Sequence, residues 1–520
     1  MTANGNPILR AWPGLALALL VLAAPAPQLA AAPDAPRDEL VVMLEQAPKT
    51  LDPLHATDAI GVRISHQLIF ETLFTLGDDL RVAPGLAERW ERPAPERLLV
   101  TLRAGARFAD GSPVEAADVA FTLESLLAPG SGSPYGPGLR EKIRAVRALD
   151  AATVRIELTG AYAAILHDLI LPIRSRRAGP ERPLLGSGPY VVEARRPAEV
   201  VLARNEAYTG TPAAPRPAIG RIVFKIVRDE NTRLLKMKKG DIDLAINVLP
   251  PDKLKLFERA PLEGRYRLVE GPGLSYQYLG FNLDDPIVGD ARVRRALAHA
   301  VNVAALIRYR QQGHSARAAG LLPPASPFAL PGAQPPAYDP DLAARLLDEA
   351  GFPPCNGTRF ALTYKTSTDR AAVIQARAIQ GDLKRIGIEM AVRAFEWGTF
   401  YDDVQKGNFQ LFSLRWVGVS DPDFYYELFH SSRVPPQGRN RVRYRDADVD
   451  RWLEQGRVET GAARRRGIYH DVERSLLRDL PYLPLWHNDN VAVVSRRLEG
   501  FRLHPTGGFQ HLTELRWAGR

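Results

Sequence analysis

The chain has 520 residues, 45% of them hydrophobic and 24% charged, with a formal charge of +9. That exceeds what one core of ~250–300 residues holds, and the composition is that of a folded globular protein, not a disordered one. A single cysteine, Cys355, excludes an intramolecular disulfide and a cysteine-based zinc cluster.

Arg10 is the only charge ahead of an apolar run over 11–24, and small residues follow at Leu29-Ala30-Ala31-Ala32. This reads as an export signal over 1–32 with a cut near Ala31, since Pro33 is a poor first residue after cleavage. The run is shorter than the ~20 residues that cross a bilayer, and the region has no cysteine for lipid anchoring. A freely diffusing periplasmic protein of charge +8 is expected once Arg10 is removed. Its basic residues are mostly Arg, interleaved with acids, with no basic run beside a stacking surface, so no nucleic-acid partner is expected.

Residues 39–46 read as the first strand, broken by Pro48 to Pro53, and 60–76 as an amphipathic helix. The polar turn between them holds His55, Thr57 and Asp58, a place where ligand meets backbone and side chains. A β-rich stretch follows over 84–118, with Trp90-Glu91 ending a turn, alternation over 97–103 and a hairpin signal at Asp110-Gly111. A helix is expected over 114–127, a loop over 130–138 and a strand over 153–158. Gly186-Ser187-Gly188 precedes a strand, lacks phosphate-loop spacing and is a poor phosphate cradle. Asp229 caps a helix that Gly240 ends, leading to a strand over 243–248.

Gly271-Pro272-Gly273 is a strong breaker and a candidate crossover between lobes. A long helix is expected over 290–310, a Pro-rich loop over 323–340 and a helix over 340–350 ended by Gly351. Strand 362–365, helix 370–386 and strand 388–396 form a βαβ pattern. Residues 409–417 alternate as a strand and stop at Gly418-Val419-Ser420-Asp421-Pro422, delivering Asp423, Phe424, Tyr425, Tyr426 and Glu427 to a loop. Helices are expected over 446–455 and 462–478, then strand segments around 483–487 and 491–494.

No HExxH, no GxSxG elbow and no helical i, i+4 histidine pair is present. A hydrolase built on Asp421, Asp423 and His430 is the weakest reading, because chain adjacency alone makes no triad. What the chain offers is a binding set: Tyr276, Tyr278, Trp397, Trp416, Tyr425 and Trp486, the acids Glu396, Asp421 and Asp423, and Arg370, Arg415, Arg439 and Arg441. Aromatics with acids and guanidinium groups suit a zwitterionic or polar organic ligand. Tyr276, Tyr278 and Trp486 fit equally well as packed core residues, and Trp397 and Trp416 each precede a glycine turn.

Nine segments in order over about 440 residues carry a resemblance. They are APKTLDPL (47–54), GLAERWE (85–91), LRAGARFADGSPVEAADVAFTL (102–123), GSGPY (186–190), KKGDIDLA (238–245), FNL with RVRRALAHAVN (281–302), YDPDLAARLLDEAGF (338–352), LKRIGIEM (383–390) and PYLPLW (481–486). The chain thereby resembles the family 5 extracytoplasmic solute-binding proteins, the peptide, oligopeptide and nickel binders of ABC transporters. The resemblance implies an α/β fold of two lobes, a type II-like periplasmic binding protein with an extra domain inserted in the first lobe. It implies lobe I over 33–75, 185–270 and 489–520, the inserted domain over 76–184 and lobe III over 271–488, with a return near His487 to Asn490. It implies capture of di- or oligopeptides by hinge closure and delivery to a permease and its ATPase, by a monomer with no cofactor, no metal and no catalysis. A nickel chelate, haem, opine or sugar is the alternative ligand. In dipeptide-binding members an Asp of the central loop pairs with the peptide amine; Val419 falls at that position, and Asp421 or Asp423 is the candidate substitute. Arg370 falls near the place of a carboxylate-binding Arg, and Thr57 and Asp58 match a first-lobe loop by position.

Overall fold

The computed structural model describes residues 38–179, 182–212 and 214–519. The expected export segment over 1–32 lies outside them. The framework is an eleven-stranded mixed sheet. At one end Glu39–Leu44 runs parallel to Arg221–Ile226 and Leu244–Ile246, and Glu199–Arg204 and Tyr190–Arg196 extend the sheet antiparallel. At the other end Phe360–Ser367 runs parallel to Ile388–Phe395 and to Leu411–Trp416. Helix Arg370–Lys384 joins the first two of these, which is the βαβ unit its sequence pattern indicates.

Two long strands, Tyr266–Phe281 and Tyr482–Ser495, run side by side and connect the halves. The first half of one and the last half of the other pair near Leu244–Ile246; their remaining halves pair with Leu411–Trp416 or with each other. The breaker at Gly271-Pro272-Gly273 does not end the strand. It shifts register between Pro272 and Ser275, because a Cβ at Gly273 would stand 2.3 Å from the Asn488 carbonyl oxygen. The tail of the chain likewise forms one continuous strand, not two segments.

A separate four-stranded antiparallel sheet (Ala87–Ala94, Arg97–Leu102, Thr153–Leu158, Ile143–Ala148) packs with helix Ala116–Leu127 around Phe108, Val119 and Leu123. Trp90-Glu91, expected at a turn, lies inside its first strand. The expected helix over 60–76 ends early. Helix Ala59–Ile64 passes into a π-turn, Ser65–Ile69, and Phe74–Leu76 is a strand. The cause is a crossing chain: Cβ atoms at Gly186 and Gly188 would lie 2.0 Å from the Ile69 oxygen and 2.6 Å from its carbonyl carbon. The long helix expected over 290–310 is two, Ala291–Ala300 and Val303–Arg310, since the Asn302 side chain accepts from the Ala305 N–H at 2.9 Å and starts a new helix. Among the described residues no helix is long and apolar enough to cross a membrane.

Candidate functional site: a cleft closed from two sides

Strand Leu411–Trp416 delivers a loop over 417–423, and the aromatic and acidic run expected on that loop is instead a short helix, Phe424–Phe429. Beneath the loop lies an aromatic stack. The Tyr278 ring is 4.0 Å from Tyr482 and 6.1 Å from Trp416, both near parallel, with Tyr276 at 5.9 Å. The Arg441 guanidinium covers the outer face of Trp416 at 4.4 Å and donates to the Tyr401 hydroxyl (2.8 Å) and Gln405 Oε1 (3.1 Å). This floor is apolar, close-packed and capped by a cation.

Above it is a cavity of about 330 Å³. One wall is the loop over 417–423 with Phe424, Glu427 and Arg439; the facing wall carries Lys142, Tyr162, His167 and Asp168 of the inserted sheet region. Three hydrogen bonds cross the gap among the described residues, and Arg457 also lies over the Tyr162 ring at 5.6 Å. The Tyr162 hydroxyl donates to Asp423 Oδ2 at 2.9 Å, His167 Nε2 lies 2.7 Å from the Ser420 hydroxyl, and the Ala163 N–H donates to the Arg457 carbonyl at 2.7 Å. Arg457 also stands 3.2 Å from Asp423.

The two loop carboxylates differ in environment. Burial alone would raise the Asp421 carboxyl, but Arg465 binds it through both nitrogens (2.7 and 3.1 Å) and holds it below the usual range. Burial wins at Asp423 and raises it, with Arg457 offsetting only part. Burial and the acids around it raise the Tyr162 hydroxyl well above its ordinary value, so it stays a donor.

A second cavity, of about 490 Å³, lies among the 59–69 helical segment, the hairpin over 74–84 and the chain end over 502–513. His167 faces both cavities. Burial lowers His66 to about 4, so it is neutral and donates through Nε2 to the Pro53 carbonyl at 3.1 Å. Glu71 is raised by burial and paired with Arg103. Asp78 pairs with Arg502 (2.7 Å) and His511 (2.8 Å). No group of three His, Cys, Asp or Glu among the described residues is placed to hold a metal ion.

Of the residues singled out from the sequence, Asp421 and Asp423 line the first cavity, but neither is a free carboxylate. Trp416 supports the loop from below and is 7% exposed. Tyr276, Tyr278 and Tyr425 are core residues of this half. Trp486 is fully buried in the neighbouring core, with Arg310 over its ring at 5.4 Å, which corrects its reading as a cleft residue. Trp397 is 53% exposed and opens helix Trp397–Lys406, so Gly398 is helical and not a turn. Arg370 is the exposed first residue of its helix, and Arg415 is exposed next to Trp416 on the same strand. Thr57 is exposed, while Asp58 caps a helix by accepting from the Gly61 N–H at 2.8 Å. Neither lines either cavity.

Sequence reasoning missed Lys142, Tyr162, His167, Asp168 and His66. Tyr162 reaches its partner across 261 residues of chain, and no local motif marks such a contact.

A family model for the middle region of bacterial extracellular solute-binding proteins, family 5, matches residues 81–435. Protein XP55 of Streptomyces lividans is 30% identical over 489 residues, covering 89% of this chain and 86% of that one. Di/tripeptide-binding protein 2 of Pseudomonas aeruginosa (strain UCBPP-PA14) is 27% identical over 502 residues, covering 90% and 92%. The crystal structure of NikA from Brucella suis in complex with Fe(III)-EDTA superposes with a TM-score of 0.81 at 25% identity, covering 92% of this chain and 99% of that one. The two-lobed α/β framework, the inserted sheet and these matches together make the chain a member of the family 5 extracellular solute-binding proteins of ABC transporters.

Proposed function

We propose that this chain is an exported periplasmic receptor that captures di- or oligopeptides between its lobes and hands them to the permease and ATPase of an ABC importer, as a monomer and without catalysis. The observation that carries this reading is the 330 Å³ cavity walled by the 417–423 loop and the start of helix Phe424–Phe429 on one side and the 142–168 region on the other. Its size suits a small organic ligand. A site whose walls are joined across the gap by Tyr162, Ala163 and His167 opens when the walls part.

The hinge in this reading is the register shift at Gly271 to Gly273 opposite Asn488 to Asn490, with domain limits at 75/76, 184/185, 270/271 and 488/489. A relative named for di- and tripeptides supports the peptide class. A non-peptide solute is the second reading; Val419 and the engaged state of Asp421 and Asp423 favour it.

Native mass spectrometry of the purified mature protein, followed by identification of what denaturation releases, tests the proposal. Peptides released from the protein, or peptide-dependent stabilisation, are expected. A single metabolite or metal complex with no peptide binding would overturn the peptide assignment.

A further inference from the structure

Six carboxylates line the two cavities, and each is already in an ion pair. Glu71 pairs with Arg103, Asp78 with Arg502, Asp168 with Lys142, Asp421 with Arg465, Asp423 with Arg457 and Glu427 with Arg433. The partners are close, at 2.6 Å for Lys142–Asp168 and 2.8 Å for Arg433–Glu427. A ligand ammonium entering the first cavity finds no carboxylate that is not compensated, and stripping the buried Asp421 or Asp423 of its partner is costly. Arg439 is the exception among the charged lining. It is exposed, stands 5.6 Å from the Phe424 ring and has no carboxylate partner among the described residues. In the first cavity the pairs cancel and Arg439 is left, so the uncompensated charge there is positive.

From this we infer that the site selects peptides whose amino terminus is blocked, seating a ligand carboxylate on Arg439. The inference rests on the peptide reading above and narrows its substrate class. A guanidinium without a partner, backed by an aromatic ring, is suited to bind a carboxylate through two parallel hydrogen bonds. A free ammonium adds a charge that the lining does not complement, so desolvating it is not repaid.

The test uses the full mature chain freed of bound ligand, titrated calorimetrically with three probes: N-acetyl-Ala-Ala, Ala-Ala and Ala-Ala amide. N-acetyl-Ala-Ala is expected to bind about tenfold tighter than Ala-Ala, whose ammonium is uncompensated, and Ala-Ala amide, which also lacks the carboxylate, about tenfold weaker than Ala-Ala, the scale of one charge-assisted contact. R439Q is expected to weaken N-acetyl-Ala-Ala and Ala-Ala by about tenfold each, leaving Ala-Ala amide and the melting temperature unchanged, and R439K to recover part of the loss. Ala-Ala binding as tightly as its acetylated form, or R439Q leaving the affinities of both carboxylate probes unaltered, would overturn the inference and leave the peptide receptor standing. If no probe binds, the species released in native mass spectrometry decides: amine-blocked peptides uphold the inference, free-amine peptides overturn it alone, and a non-peptide overturns it together with the proposed function.

Discussion

The aromatic floor under the 417–427 segment and the charged walls above it are neighbours built on opposite terms. The floor packs Tyr276, Tyr278, Trp416 and Tyr482 within one half of the molecule, and its rings are almost entirely buried. The walls meet through Tyr162, Ala163 and His167, which reach across from the inserted region to Asp423, Arg457 and Ser420. Under the proposed closure, floor contacts are made whatever the ligand does, whereas wall contacts form only when the halves approach. Stability therefore resides in the floor, and ligand-linked change in the walls.

The largest effect belongs to the floor. Tyr278→Ala removes the central ring of the stack and is expected to lower unfolding free energy by about 3–5 kcal/mol in a urea titration. The order of preference among ligands should not change, because the ring does not line the cavity. A change in ligand order with little loss of stability would break the division.

Arg465→Ala lies at the boundary. It leaves Asp421 buried and uncompensated, for an expected loss of about 3–5 kcal/mol near neutral pH. In the parent the Asp421 carboxyl sits below its unfolded value, so its contribution is present above the ordinary carboxylate range and is lost as pH falls through the lower folded value. The variant, its carboxyl raised by burial, should instead gain stability on acidification. Parallel stability–pH curves for the two proteins would contradict the pairing.

Glu473 sharpens the account from beneath. It lines a small cavity of about 20 Å³ with Tyr276 and Tyr425, and burial raises its carboxyl to about 7. A raised carboxyl contributes stability fully below its unfolded value of 4.5, and that contribution is lost as pH rises through about 7. Glu473→Gln should match the parent below pH 4.5 and exceed it above pH 7, by on the order of 3 kcal/mol in denaturant titrations.

The smallest effect belongs to the wall. Tyr162→Phe deletes one hydrogen bond across the cleft and should weaken ligand binding by about 0.5–1.5 kcal/mol in calorimetry, with the melting temperature within about 1 °C of the parent. A fall in melting temperature without a change in affinity would place Tyr162 with the floor.

The framework was legible in the sequence where the physics is local. Asp229 and Gly240 cap and end the helix that lies between them, and the strand, helix, strand pattern over 362–396 marks the parallel pair with its connecting helix. The break at Asn302 was missed because apolar periodicity runs through it, and only the cap side chain reveals the second start. Of the site, the 417–427 segment stood out because a strand ends there in an aromatic and acidic cluster. Its opposite wall did not, since Tyr162 and His167 lie in an unremarkable stretch and gain meaning only from partners more than 250 residues away. Residue type also misled: an aromatic near a cleft reads alike whether it faces ligand, as a floor residue such as Trp416 nearly does, or is sealed in a core like Trp486.

Hydrogen exchange with and without a mixture of di- and tripeptides is the most direct test of the division between floor and walls. The account predicts that the Ala163 amide, which donates across the cleft, and the amides of 417–424 become protected on binding, while those of 276–281 and 482–487 keep their rates. Peptides that raise the melting temperature yet leave 163 and 417–424 unchanged, or that slow the floor strands as much as the walls, would contradict it.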